Sequence, residues 1–79
     1  MKYAPRTPYS AAKVLAVGEA MCRMDGVPTT SLNLAIRLGI SRRQIIRIRN
    51  GHIKRVWPST ADRVAERSDI YIGDLEFTS

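Results

Sequence analysis

The chain has 79 residues, and its 13 lysines and arginines outnumber its 7 aspartates and glutamates, giving a formal net charge of +6. This length suits one domain, and 44% hydrophobic with 25% charged residues is a globular composition that excludes wholesale disorder and a collagen-like fibre. The single cysteine and single histidine exclude an internal disulfide and a four-ligand zinc site. No apolar run approaches the roughly 20 residues of a membrane span, and residues 1–10 lack the hydrophobic core of a secretory signal, so we expect a cytoplasmic protein. We expect no metal or cofactor.

The positive charge is concentrated in the middle of the chain. Residues 26–61 contain seven basic residues and no acidic one, whereas the remainder carries six basic and seven acidic residues. Such a local excess points to a polyanionic partner such as nucleic acid, and a basic solvated surface without a partner is the alternative. The basic residues of this segment are Arg37, Arg42, Arg43, Arg47, Arg49, Lys54 and Arg55.

The N-terminal part predicts an arm followed by a helix. Residues 1–9 contain two prolines, Lys2 and Arg6, and we interpret them as a basic flexible arm preceding one domain over residues 10–79. Ser10 is a candidate N-cap, and the following apolar positions keep helical spacing as far as Asp25 and Gly26. This spacing of apolar residues predicts that Cys22 is buried and that Met21 and Met24 fill the core.

Three further helices are predicted in the rest of the chain. Thr29, Thr30 and Ser31 are candidate caps for a second helix, Ser41 caps a third that ends at Asn50 and Gly51, and Pro58 starts a fourth that closes at Arg67 or Ser68. The segment 52–57 reads as a charged loop, in which Trp57 is expected to cover the core, with base stacking or a partner contact as the alternative. Residues 70–77 do not distinguish a fifth helix from an extended tail.

Residues 31–50 read Ser-Leu-Asn-Leu-Ala-Ile-Arg-Leu-Gly-Ile-Ser-Arg-Arg-Gln-Ile-Ile-Arg-Ile-Arg-Asn. Two helices that cross steeply need a small residue at the crossing, here Ala35, and a glycine at the turn, here Gly39, where we expect a left-handed backbone conformation. The apolar residues expected to pack around the crossing are Leu34, Leu38, Ile40, Ile45 and Ile48. This arrangement resembles the helix-turn-helix of phage repressor and Cro proteins, and the likeness continues over about half of the chain, residues 32–65. The resemblance implies an all-α bundle of four to five helices that binds double-stranded DNA.

A helical wheel places Arg43, Ile46, Arg47 and Asn50 on the outward side of the third helix, flanked by Arg42 and Arg49. Arginine can donate to guanine, glutamine can pair with adenine and an exposed isoleucine suits a thymine methyl group. The candidate base contacts are Arg42, Arg43, Gln44, Ile46 and Arg47. The alternatives are that each arginine contacts only phosphate or solvent, that Gln44 orients a neighbouring side chain and that Ile46 contacts the fourth helix.

The candidate backbone contacts flank that helix. Thr30, Ser31 and Ser41 stand at helix starts, where free N–H groups favour a phosphate, although plain capping explains them equally well. Asn50, Lys54 and Arg55 match the loop with which phage repressors hold the sugar-phosphate backbone, so they are expected to fix register and not sequence.

Three functions remain open on the sequence. The first is a repressor or Cro-like transcriptional regulator in a bacterial or phage-infected cell, pairing as a homodimer at least on DNA. The second is an accessory factor that bends DNA or directs recombination, and the third is a protein-interaction module, such as an antitoxin, with its partner surface in residues 62–76. An enzyme is not expected, because the acidic residues show no catalytic or metal-binding spacing. No membrane partner or small-molecule substrate is expected either.

Overall fold

The computed structural model describes residues 9–77, which form four α-helices, a two-stranded sheet and a short 3₁₀-helix. The sequence predicts an all-α bundle, and the described residues are mostly helical, with four α-helices as expected and a two-stranded sheet that the prediction did not include. No helix within residues 9–77 is both long and apolar enough to cross a membrane. The elements in chain order are β1 (Tyr9–Ser10), α1 (Ala11–Met24), α2 (Ser31–Leu38), α3 (Arg42–Arg49), β2 (Arg55–Val56), α4 (Pro58–Ser68) and the 3₁₀-helix Ile72–Leu75.

The helix starts lie where the capping residues predict them. The Ser10 hydroxyl accepts the Lys13 amide at 3.3 Å, and the Thr30 hydroxyl accepts the Asn33 amide at 3.2 Å. Ser41 does the same for α3, and Pro58 occupies the first position of α4. Each cap gives a partner to an amide that the helix itself leaves free, which explains why the starts are readable from local sequence.

The core forms where α1 packs against α2, α3 and α4. Gly18, in the middle of α1, faces α2 so closely that a Cβ atom there would lie 2.6 Å from Leu38 Cδ1 and 2.9 Å from Leu34 Cδ2. The two helices can approach this closely because the glycine has no side chain. The largest fully buried side chains of the core are Val14, Cys22, Leu34, Leu38, Ile45, Val56, Val64 and Leu75.

The sheet corrects two predictions. Tyr9, assigned to the arm, pairs antiparallel with Val56, which lies in the segment predicted as a loop. Val56 is buried, and the Ala11 amide donates to the Lys54 carbonyl at 3.0 Å beside the sheet, so the pairing closes one end of the core. Strands of two residues carry too little periodicity to be read from sequence. Residues 1–8 of the predicted arm lie outside the described residues.

Two side chains predicted to be in the core are exposed. Trp57 is 58% exposed and Met24 is 86% exposed, whereas Cys22 is buried as predicted. Val56, the neighbour of Trp57, is buried instead, while Trp57 itself stands at the N-cap of α4. Base stacking or a partner contact by Trp57 stays a prediction.

The C-terminal segment closes the core through one residue. Leu75, in the 3₁₀-helix, is completely buried, and Ile70 and Ile72 pack partly against the core. Tyr71 and Phe77 are exposed. The segment therefore combines a short helix with extended residues, the two forms between which its irregular apolar spacing did not decide.

We expect Gly18→Val to lower the free energy of unfolding by about 1 to 3 kcal/mol, because the added methyl groups overfill the contact with Leu34 and Leu38. Ala16→Val is the matched control on the exposed side of the same helix; it carries only the weak helix preference of valine, a cost of up to roughly 0.7 kcal/mol. Urea unfolding of both variants provides the measurement. Equal losses in the two variants would contradict the close α1–α2 approach.

Candidate nucleic-acid interface

The outward side of α3 carries arginines, and two isoleucines on the opposite side hold the helix against the core. Ile45 and Ile48 are buried in the core. With these residues inward, the other side of the helix presents exposed arginines and Ile46, which is 42% exposed, while Gln44 is half-buried. The exposed arginines of the helix are Arg42, Arg43, Arg47 and Arg49. All five predicted base contacts therefore lie on α3, and Gln44 is the least accessible of them.

The turn between α2 and α3 depends on Gly39. Its φ angle is 74°, in the left-handed region, as the sequence predicts, and its amide donates to the Ala35 carbonyl at 2.9 Å. Ile40 then enters the core, and Ser41 caps α3. This reversal fixes where α3 starts relative to α2, because a residue with a side chain would resist that backbone conformation.

Two arginines of α4 hold the same turn from the other side. Arg67 Nη1 donates to the Ile36 carbonyl at 3.1 Å, and Arg63 Nη1 donates to the Gly39 carbonyl at 3.3 Å. The last carbonyls of a helix have no partner within the helix, so these guanidinium groups satisfy acceptors that otherwise depend on water. This role was not predicted from the sequence. The four-residue spacing of Arg63 and Arg67 shows that they share one face of α4, but not which carbonyls they reach.

The segment after α3 carries the predicted backbone contacts. Asn50 ends the helix, and Gly51 follows with a φ angle of 79°. Asn50 and Lys54 are exposed, whereas the Arg55 guanidinium lies over the Phe77 ring, 4.7 Å from its centroid. Arg55 is thus already engaged with an aromatic ring, and Asn50 and Lys54 are the more freely presented of the three.

The start of α2 is tied to the end of α3. Arg49 Nη1 donates to the Ser31 hydroxyl at 3.4 Å, and its Nη2 donates to the Thr29 carbonyl. The predicted contacts Thr30 and Ser31 are thereby brought close to the end of α3, and Thr30 also caps α2. The sequence predicts for Arg49 only a place beside the outward side of α3. The sequence around Arg49 does not reveal its bond to α2, because Arg49 and Ser31 are 18 positions apart in the chain.

Most of the cationic charge is not neutralised by carboxylates. Among residues 9–77 the one salt bridge joins Arg37 Nε to Asp25 Oδ2 at 2.8 Å. Arg42, Arg43, Arg47 and Lys54 therefore keep charges that face solvent. The described residues also contain no group of three histidine, cysteine, aspartate or glutamate side chains that could hold a metal ion.

The chain matches no protein-family model, no curated protein and no solved structure.

We expect Gly39→Val to destabilise the protein and to change the position of α3. A side chain at a φ angle of 74° costs about 1 to 2 kcal/mol, and its Cβ atom would meet Arg67, lying 2.8 Å from Cδ. Gly26→Val is the matched control, because Gly26 has a φ angle of 69° with nothing within 4 Å of the added atom. Both variants should lose stability in thermal melting, while only Gly39→Val should shift the amide NMR signals of residues 42–49. Undisturbed α3 signals in Gly39→Val would contradict this role of the turn.

Proposed function

We propose that the chain is a small sequence-specific DNA-binding regulator of the repressor or Cro kind. In this proposal α2, the Gly39 turn and α3 act as a helix-turn-helix, and α3 enters the major groove of double-stranded DNA. The observation that carries the proposal is the two-sided character of α3. Ile45 and Ile48 fix one side in the core, and the other side presents exposed arginines without any acidic neighbour on the helix.

The dimensions and chemistry of α3 suit a major groove. An α-helix with its side chains is about 10 to 12 Å across, and the major groove of B-DNA is about 12 Å wide, so α3 can lie in the groove over its length of about 12 Å. Arg43 and Arg47 lie one turn apart, so both guanidinium groups can reach guanine O6 and N7 atoms of neighbouring base pairs. Ile46 lies between them in the chain and is exposed, which suits contact with a thymine methyl group.

The flanking residues suit backbone contacts. The free amides at the start of α2 favour a phosphate, and Arg49 adds its positive charge beside Thr29 and Ser31. Asn50 and Lys54 are exposed beyond the other end of α3. Contacts at both ends of the helix would set its register in the groove while leaving sequence preference to the central arginines.

We expect Arg43→Ala and Arg47→Ala each to cost about 1 to 3 kcal/mol on the preferred site and to relax preference at one base pair. Lys54→Ala should weaken binding to all sequences alike and lower the salt slope by about one unit, because a phosphate contact carries no sequence information. The preferred site is first selected from random DNA. Competition binding on single-base variants of that site then compares the mutants at two salt concentrations.

Two results would count against the proposal. If the chain selects no DNA sequence and shows no salt-dependent affinity, DNA binding itself is wrong. If Arg43→Ala and Arg47→Ala weaken every site equally, these residues hold phosphates, and the base-reading role is wrong.

We also expect two copies to bind one duplex. A single module buries about 600 to 1,000 Å² on DNA, which limits its selectivity, and two copies related by a two-fold axis would place their helices about 34 Å apart. The selected site should therefore contain inverted half-sites about 10 base pairs apart. Sedimentation with this DNA should give a complex of two chains. A strict 1:1 complex on a short asymmetric site would contradict pairing.

A further inference from the structure

A groove of about 540 Å³ lies between α4 and the segment that leads into the 3₁₀-helix. Its apolar lining consists of Ala65, Ile70 and Ile72, all of which are half-buried. Its remaining lining consists of Tyr71 and three exposed carboxylate residues. The groove thus has an apolar floor and an acidic rim, and these carboxylates are Asp62, Glu66 and Asp69.

Tyr71 stands at the rim in a position set by Gly73. The tyrosine is 75% exposed. A Cβ atom on Gly73 would lie 2.9 Å from Tyr71 Cδ2, so the ring lies against the glycine backbone. An aromatic ring held in this way offers contact area with little loss of side-chain freedom on binding, which is the property that enriches tyrosine in protein interfaces.

The carboxylates of the groove lack basic partners within residues 9–77, where the one salt bridge is Arg37 with Asp25. The arginines of the same helix, Arg63 and Arg67, donate to the carbonyls of Gly39 and Ile36 instead. The described carboxylates also form no cluster that could hold a metal ion. The acidic charge is therefore spread along a groove, which matches a row of cationic side chains better than a single ion.

No residue of α3 lines the groove, whose lining comes from α4 and residues 69–72. A partner seated between α4 and Tyr71 would therefore bind residues other than Arg43 and Arg47.

We propose that this groove binds a basic amphipathic segment of a partner protein, with arginine or lysine side chains along the acidic rim and an apolar side chain on the floor beside Tyr71. This inference goes beyond DNA binding. The charge pattern favours a basic segment. An acidic segment would place like charges beside the carboxylates of Asp62 and Glu66, and a purely apolar segment would remove water from these carboxylates without giving them a partner.

The first test titrates the isotope-labelled 79-residue chain, without DNA, with three synthetic peptides. One alternates arginine and leucine, the second replaces each leucine by serine, and the third replaces each arginine by glutamate. The arginine–leucine peptide should shift the amide signals of Ala65, Ile70 and Ile72 and bind about tenfold or more tightly than either other peptide. Equal binding of the serine peptide, or shifts confined to other residues, would overturn the proposal.

The second test uses variants with the arginine–leucine peptide. Glu66→Gln and Tyr71→Ala should each weaken binding about tenfold, whereas Glu19→Gln, which removes the same charge on α1, should leave it unchanged. Gly73→Ala, which displaces the Tyr71 ring without changing charge, should also weaken binding. If Glu19→Gln weakens binding as much as Glu66→Gln, the attraction is unspecific and the proposal is wrong. Self-association of the chain through this surface, measured by sedimentation, would also overturn the proposal. Because DNA is absent from both tests, their failure leaves the DNA-binding proposal standing.

Discussion

The close packing of α1 on α2 at Gly18 is the contact on which the rest of the bundle depends. Leu34 and Leu38 fill the space that the glycine leaves, and both are completely buried. Leu38 is also the last residue of α2, so the same contact fixes the point from which Gly39 reverses the chain. The direction of α3 is therefore determined in two steps: packing places α2, and the left-handed turn places α3 relative to it.

The arginines of this chain divide into those that hold the fold and those that face solvent. Arg63 and Arg67 satisfy carbonyls at the end of α2, and Arg49 joins the two ends of the α2–α3 unit. Arg43 and Arg47 have no such bonds among the described residues. Within the cationic segment 26–61, Arg37 pairs with Asp25, Arg49 donates to Ser31 and Arg55 lies over the Phe77 ring. The remaining basic residues of the segment are Lys54 and the α3 residues Arg42, Arg43 and Arg47.

Local signals made much of this structure predictable. Ser10, Thr30 and Ser41 cap helices that start at the next residue, and Gly39 has the predicted left-handed backbone. The two sides of α3 followed from spacing alone, because a helix that buries Ile45 and Ile48 must turn its other residues outward.

The errors and omissions arise from contacts between distant parts of the chain. Tyr9 and Val56 pair over a separation that no short pattern encodes, and once Val56 occupies the core Trp57 must face outward. The donation by Arg67 to the Ile36 carbonyl joins residues 31 positions apart. From composition alone, residues 62–76 are predicted only as a candidate partner surface. The groove beside Tyr71 depends on how α4 meets the 3₁₀-helix, which is a property of the folded chain.

The separation of charge over the folded molecule has a consequence for both proposals. A uniform mixture of acidic and basic groups would give α3 no directional attraction to a polyanion, whereas α3 carries four arginines and no acidic residue. A phosphate beside α3 would therefore meet no carboxylate of that helix, which avoids a like-charge repulsion. The carboxylates of Asp62, Glu66 and Asp69 line a groove to which α3 contributes no residue. Because the two surfaces share no residue, a polyanion on α3 and a cationic segment in the groove would not compete for the same side chains.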